Sequence, residues 1–157
     1  MMKDSKDLFG QRGGRAVLLS VQPKYAHAIA DGTKCIEFRR RWTSEAVAVL
    51  LIYATAPVSR VLGLVHVHEV LEASPSALWR CAKRHGGGVT REELYQYMRG
   101  RKTGFGVVLR DFKIFDPPLD PRQVETDFRA PQSFRFMTAD ELRRYIRVSK
   151  RRRSARR

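Results

Sequence analysis

Between Ala46 and Ala54 the chain reads AVAVLLIYA, an uncharged run closed by Ala56-Pro57. A bilayer-spanning helix needs about 20 apolar residues, so this run is far too short for one. Rich in Val, Leu and Ile and bounded by a proline break, it predicts a central strand covered on both faces. The remaining elements must therefore supply two layers of cover.

Several segments offer themselves as partners in the sheet. Ala16–Val21 is a short apolar run ended by Pro23, and Arg60–Val70 is rich in Val and Leu. Thr103–Phe115 forms a further strand that Pro117-Pro118 should close, and Pro131–Phe136 supplies a last short one. Cys35–Arg41 alternates, with Ile36 and Phe38 on one face and Glu37, Arg39 and Arg41 on the other, because strand side chains repeat every two residues.

Helices are marked by their ends. Tyr25, Ala28 and Ile29 recur at helical spacing over Lys24–Asp31, and Gly32 supplies the stop. Ser74-Pro75 opens another helix, and Thr90 with Glu93 forms a capping box for the next. Between these two lies His85-Gly-Gly-Gly88, a hinge or loop. A capping box at Thr138 and Glu141 opens a final helix expected to reach about Ile146. Strands and helices do not alternate regularly, so a doubly wound parallel sheet is not expected. The predicted class is α+β, a small and mostly antiparallel β-barrel with inserted helices.

Charge points to a polyanionic partner. The 157 residues carry 31 Lys and Arg against 16 Asp and Glu, a formal net charge of +15. Setting aside the six cations of Lys150–Arg157 leaves 15 less 6, or +9, on the rest of the chain. A body that basic attracts phosphate through its long-range field and by counterion release. Hydrophobic residues make up 43%, enough for one core of ordinary size. Residues 1–15 show no apolar period and read as a mobile leader, 16–146 as the domain, and 147–157 as a disordered basic tail. That tail is expected to add salt-sensitive affinity and no base preference. No apolar secretory core or membrane span is visible, so the chain is expected in the cytoplasm, as a monomer with no membrane partner.

Glu37 and Arg39 share a strand face, where they form either an exposed ion pair or a carboxylate and a five-donor guanidinium reading one base and its phosphate. Lys34 lies three positions before Glu37 and would face away on a regular strand. It is either a solvated surface lysine or, if the turn at Gly32-Thr33 re-aims it, a cleft residue. As a catalyst it would need a lowered pKa and as a phosphate ligand it needs none, so a binding module is expected ahead of an enzyme, with a hydrolase of the same cleft as the alternative. Arg39-Arg40-Arg41-Trp42 sets three guanidiniums beside an indole, and Arg60 adds a further cation. Trp42, Tyr53 and Phe134 are candidates for stacking on bases or for the core. His66 and His68 share a strand side, but Cys35 and Cys81 have no ligand spacing, so no metal and no cofactor are expected.

The run Gly32-Thr-Lys34-Cys-Ile-Glu37-Phe-Arg39 resembles the G-x-K-x-x-E-x-R signature of the ASCH domains, a branch of the PUA-like superfamily. Leu19-Ser20-Val-Gln-Pro23-Lys24-Tyr25-Ala26, Tyr53-Ala54-Thr55-Ala-Pro57, Gly104-Phe105-Gly106 and Pro131-Gln132-Ser133-Phe134-Arg135 resemble the same family in the same order. The resemblance implies a PUA-like barrel with a cleft at the signature and a role in binding nucleic acid, RNA favoured over DNA. The candidate contacts are Lys24, Lys34, Glu37, Arg39, Arg40, Arg41, Trp42, Tyr53, Thr55, Arg60, Ser133 and Phe134. Related members act as amidohydrolases on a modified cytidine nucleoside or as ribonucleases, and in an enzyme of that kind Lys34 is the catalytic candidate. The position of Glu37 is Thr in the amidohydrolase branch, so that catalytic set is incomplete here.

Overall fold

In the computed structural model, residues 13–157 are described. The leader expected over 1–15 therefore lies almost wholly outside them. Six strands, β1 (Arg15–Val21), β2 (Ile36–Arg39), β3 (Val47–Ala54), β4 (Arg60–Ala73), β5 (Gly104–Leu119) and β6 (Phe134–Met137), form one sheet in the order β2-β5-β4-β3-β1-β6. Four α-helices accompany it: α1 (Pro23–Ala30), α2 (Pro75–His85), α3 (Arg91–Tyr97) and α4 (Ala139–Ala155). The sheet is mixed, because β1 and β3 run parallel while the other neighbouring pairs are antiparallel.

The uncharged run becomes β3, and both its faces are covered as expected. Leu50, Ile52 and Ala54 join an inner cluster with Val17, Leu19 and α1, while Val49, Leu51 and Tyr53 join an outer one beneath α4. A third cluster packs Ile36 and Phe38 of β2 on Leu78 and Ala82 of α2 and on Leu94 of α3. Thus β2 hides its apolar face under two helices and turns Glu37 and Arg39 toward α1 and β1.

The roll is not closed by a ladder, since β2 and β6 stand at opposite ends of the strand order. A side chain spans the seam instead. Arg39 Nη2 of β2 donates to Ser20 O of β1 and to Ser133 O just before β6, each at 3.2 Å.

Two boundaries differ from expectation. β5 continues through Pro117-Pro118 to Leu119, because its register against β4 shifts between Val61 and Gly63 and a proline costs no ladder bond inside such an irregularity. The second difference is α4, which runs to Ala155, so 147–155 form helix where disorder was expected. Arg and Lys are good helix formers, and Ser149 is buried while Arg152 Nη1 donates to Pro118 O at 3.3 Å. Thr90 and Glu93 make both bonds of their box, whereas at α4 only Thr138 caps the helix, because the Glu141 side chain turns to Arg135 and leaves that box half made.

Candidate functional site

Lys34 is the residue whose environment departs furthest from a sequence reading. Gly32 takes φ +84°, a left-handed turn that swings the chain away from α1 before β2 begins. Lys34 N then bonds Ala28 O at 2.9 Å and Cys35 N bonds Gly86 O at 2.7 Å, tying the segment between α1 and the triglycine loop. The side chain is 1% exposed and its Nζ donates to Gly87 O at 2.6 Å. A solvated surface lysine is thereby excluded. Glu37 Oε1 lies 3.8 Å from Nζ, an ion pair beyond hydrogen-bond reach, and accepts instead from Phe38 N at 3.0 Å. The rings of Tyr25 and Phe38 stand 5.3 and 5.0 Å from the ammonium. Burial pushes the Lys34 pKa below its ordinary value, while the carboxylates of Glu37 and Glu93 oppose that fall.

These groups line an inner slot of about 170 Å³, walled by Val21, Gln22 and Tyr25 on one side and by Glu93, Leu94 and Tyr97 of α3 on the other. Outside it lies a wider pocket of about 350 Å³, lined by Arg39, Arg40, Arg41, Tyr97, Arg101 and Ser133. Arg39 and Tyr97 belong to both, so slot and pocket are one continuous site. Its cationic rim holds unused donors. Arg39 Nε and Arg101 Nε are buried without a hydrogen-bond partner among the described residues, an arrangement that costs free energy until an acceptor arrives. Ligand cavities usually measure about 300–1,000 Å³, so the outer pocket falls within that range and the slot adds a narrower recess to it.

The structure brings together Lys34, Glu37, Arg39, Arg40, Arg41 and Ser133, and sets Lys24 at the rim, where its exposed ammonium meets Glu93 at 2.7 Å. Thr55 lies beside the slot through its amide bond to Val21 O at 3.0 Å. Four candidates are not offered to a ligand there. Tyr53 is buried in the outer cluster against Phe128, on the opposite face of the sheet, because its odd position in β3 points it away from Ile52. Arg60 turns to Asp120 at 4.0 Å. Trp42 and Phe134 pack on each other at 5.1 Å between ring centroids, both partly buried against the inner cluster. Tyr25, Glu93, Tyr97 and Arg101 complete the site, and of these only Arg101 carried a sequence signal for ligand binding, its charge. Among the described residues no group of three or more His, Cys, Asp or Glu could hold a metal ion. Nor is any helix there long and apolar enough to cross a membrane.

A rolled six-stranded sheet with a motif-lined slot at its seam defines a PUA-like fold. The chain belongs to the ASCH domain family, whose model matches residues 19–114, a span that holds Lys34, Glu37 and Arg39 and ends before Ser133. It is similar to a curated protein from Zymomonas mobilis described as an ASCH domain-containing ribonuclease, at 28% identity over 137 residues, 84% of this chain and 90% of that one. The crystal structure of ASCH from Zymomonas mobilis matches with a TM-score of 0.77 and 25% identity, covering 85% of this chain and 95% of the other. A hypothetical protein from Leishmania major shares the fold at a TM-score of 0.55 and 16% identity, over 92% and 99% of the two chains.

Proposed function

We propose that this protein is a ribonuclease acting on single-stranded RNA, with one nucleotide held across the slot and the outer pocket. The observation that carries the reading is the burial of Lys34. A lysine kept only to bind phosphate gains from exposure and full charge; one stripped of water shifts toward the free amine, which can take a proton. The ribonuclease named among the relatives, similar over most of both chains, supports the same class of chemistry.

The roles follow from position. The arginines of the outer pocket grip the phosphate, and the slot takes the ribose or base beside Lys34 and Glu37. Once it has given up its own proton, which burial favours, the Lys34 amine takes the proton of the 2′-hydroxyl, and the 2′-oxygen forms a bond to the adjacent phosphorus. The bond from phosphorus to the 5′-oxygen breaks, and that oxygen leaves with a proton drawn from water in the open pocket. Arg39 and Arg101 meet the added negative charge with Nε donors that have no partner among the described residues. Lys34 returns its proton to water, which closes the balance. Because the nucleophile is the 2′-hydroxyl, this route acts on RNA and not on DNA.

Incubation with a single-stranded RNA, the same strand with one 2′-deoxy sugar, and acetylated cytidine tests the proposal. Cleavage leaving 2′,3′-cyclic phosphate ends, blocked at the 2′-deoxy position, is the expected result. Binding without cleavage would reduce the protein to a recognition module. Turnover of the acetylated nucleoside with RNA left intact would make it an amidohydrolase.

A further inference from the structure

From Arg143 to its last residue the chain carries nine cations and no acid. In a helix this spacing sets like charges three and four residues apart, which weakens the helix in isolation. The element nevertheless forms because its other face is anchored. Leu142, Tyr145 and Ser149 are buried, the first two in the outer cluster. The Tyr145 hydroxyl bonds Glu125, whose carboxylate also receives Arg135 at 2.6 Å, while Arg135 reaches back to Glu141 in the first turn of α4 at 3.1 Å. The charged face is thus a fixed surface and not a floating tail.

At 3.6 residues per turn, Arg144, Arg147, Lys150 and Arg151 fall on one side of α4, opposite the buried residues, and all four are exposed. They follow one another over about 10 Å of helix. This stripe stands under none of the slot's walls, since α4 covers the outer cluster whereas the slot opens beside α1 and α3.

We propose that the exposed face of α4 is a second nucleic-acid contact, one that holds the phosphodiester backbone of a strand independently of the slot. The partner follows from charge complementarity: four cations in a row on a rigid face match a linear polyanion, and the helix stays where the phosphates can meet it. The contact carries no base preference, because the stripe presents charge and no aromatic ring. It supplies length dependence, since only strands long enough to leave the slot can reach it.

The test uses the full chain and a long single-stranded 2′-O-methyl oligouridine, which the 2′-hydroxyl route cannot cleave, so the readout is binding alone. Titrations over a salt series compare the wild type, the variant Arg144→Ala/Arg147→Ala/Lys150→Ala/Arg151→Ala, and a charge-matched control, Arg80→Ala/Lys83→Ala/Arg84→Ala/Lys113→Ala. Each phosphate neutralised on a single strand contributes about 0.7 to the log–log salt slope, so the α4 variant should lose about 2 to 3 units and the control much less. Equal losses in both variants would reduce the effect to overall charge and overturn the proposal, as would an unchanged slope. A milder variant, Arg147→Gln/Arg151→Gln, should lose about half as much and covers the case in which the larger one misfolds. Loss of binding to phosphatidylserine vesicles with RNA binding intact would assign the face to a membrane instead.

Discussion

The ammonium of Lys34 lies 3.8 Å from the carboxylate of Glu37, with the two side chains 1% and 7% exposed. A pair sealed to that degree is a weak stabiliser, since desolvation offsets most of its attraction. Removing one partner strands the other, so Lys34→Ala should lower stability by about 3–5 kcal/mol, measured by urea denaturation, whereas Lys34→Met, which fills the volume, should cost less.

Burial sets a sign for pH. The folded pKa of Lys34 lies below its ordinary 10.5, so between those two values the unfolded chain binds the extra proton. The strain of the buried charge is fully present below the folded pKa and is relieved as pH rises through it toward 10.5. The stability difference between wild type and Lys34→Met should therefore move in the wild type's favour over that window, and a flat difference would mean an unshifted lysine.

Glu37 holds the Lys34 pKa up, so Glu37→Gln should let it fall further. The rising limb of the cleavage rate against pH should then move toward acid. A shift toward alkali would contradict the assignment of Lys34 as the proton acceptor.

Gly88 sits at φ +63°, and a Cβ there would stand 2.8 Å from Lys34 Cβ and 2.9 Å from Cγ. Gly32 has φ +84°, but a methyl group there would meet open space. Gly32→Ala should cost only the left-handed backbone, about 1–2 kcal/mol, while Gly88→Ala adds the clash and should cost more and reduce cleavage. Denaturation of the pair, with cleavage assays, checks both parts.

What the sequence revealed depended on whether the signal was local. β3 was visible in its composition, and the helix starts in Thr90 and Ser74, because caps and buried runs are written within a few residues. The shared face of Glu37 and Arg39 followed from strand period alone. The burial of Lys34 did not, because it depends on Gly86–Gly88, distant in sequence and brought over it by the packing of α2. Tyr53 stayed open between stacking and core for a related reason: the family pattern marks the position, but only the covering helix decides which face of β3 is core. Charge density at the chain's end argued for disorder, and the buried Ser149 and the contact from Arg152 to Pro118 outweighed it.

The seam gives another separation of roles. Arg39→Ala removes the guanidinium that joins Ser20 and Ser133, so it should lower both stability and RNA affinity. Arg41 lines the outer pocket without holding the seam, so Arg41→Ala should lower affinity with stability unchanged. Tyr53→Phe, on the far face, should leave RNA binding as it is. Denaturation curves and RNA titrations on the three variants check the separation.

The most direct measurement is single-turnover cleavage of a short RNA by wild type and Lys34→Met, with binding followed on the same strand. A proton acceptor contributes about 10²- to 10⁴-fold, so the rate of the variant should fall by that much while its affinity changes little. Cleavage at the wild-type rate by a folded Lys34→Met protein would contradict the account.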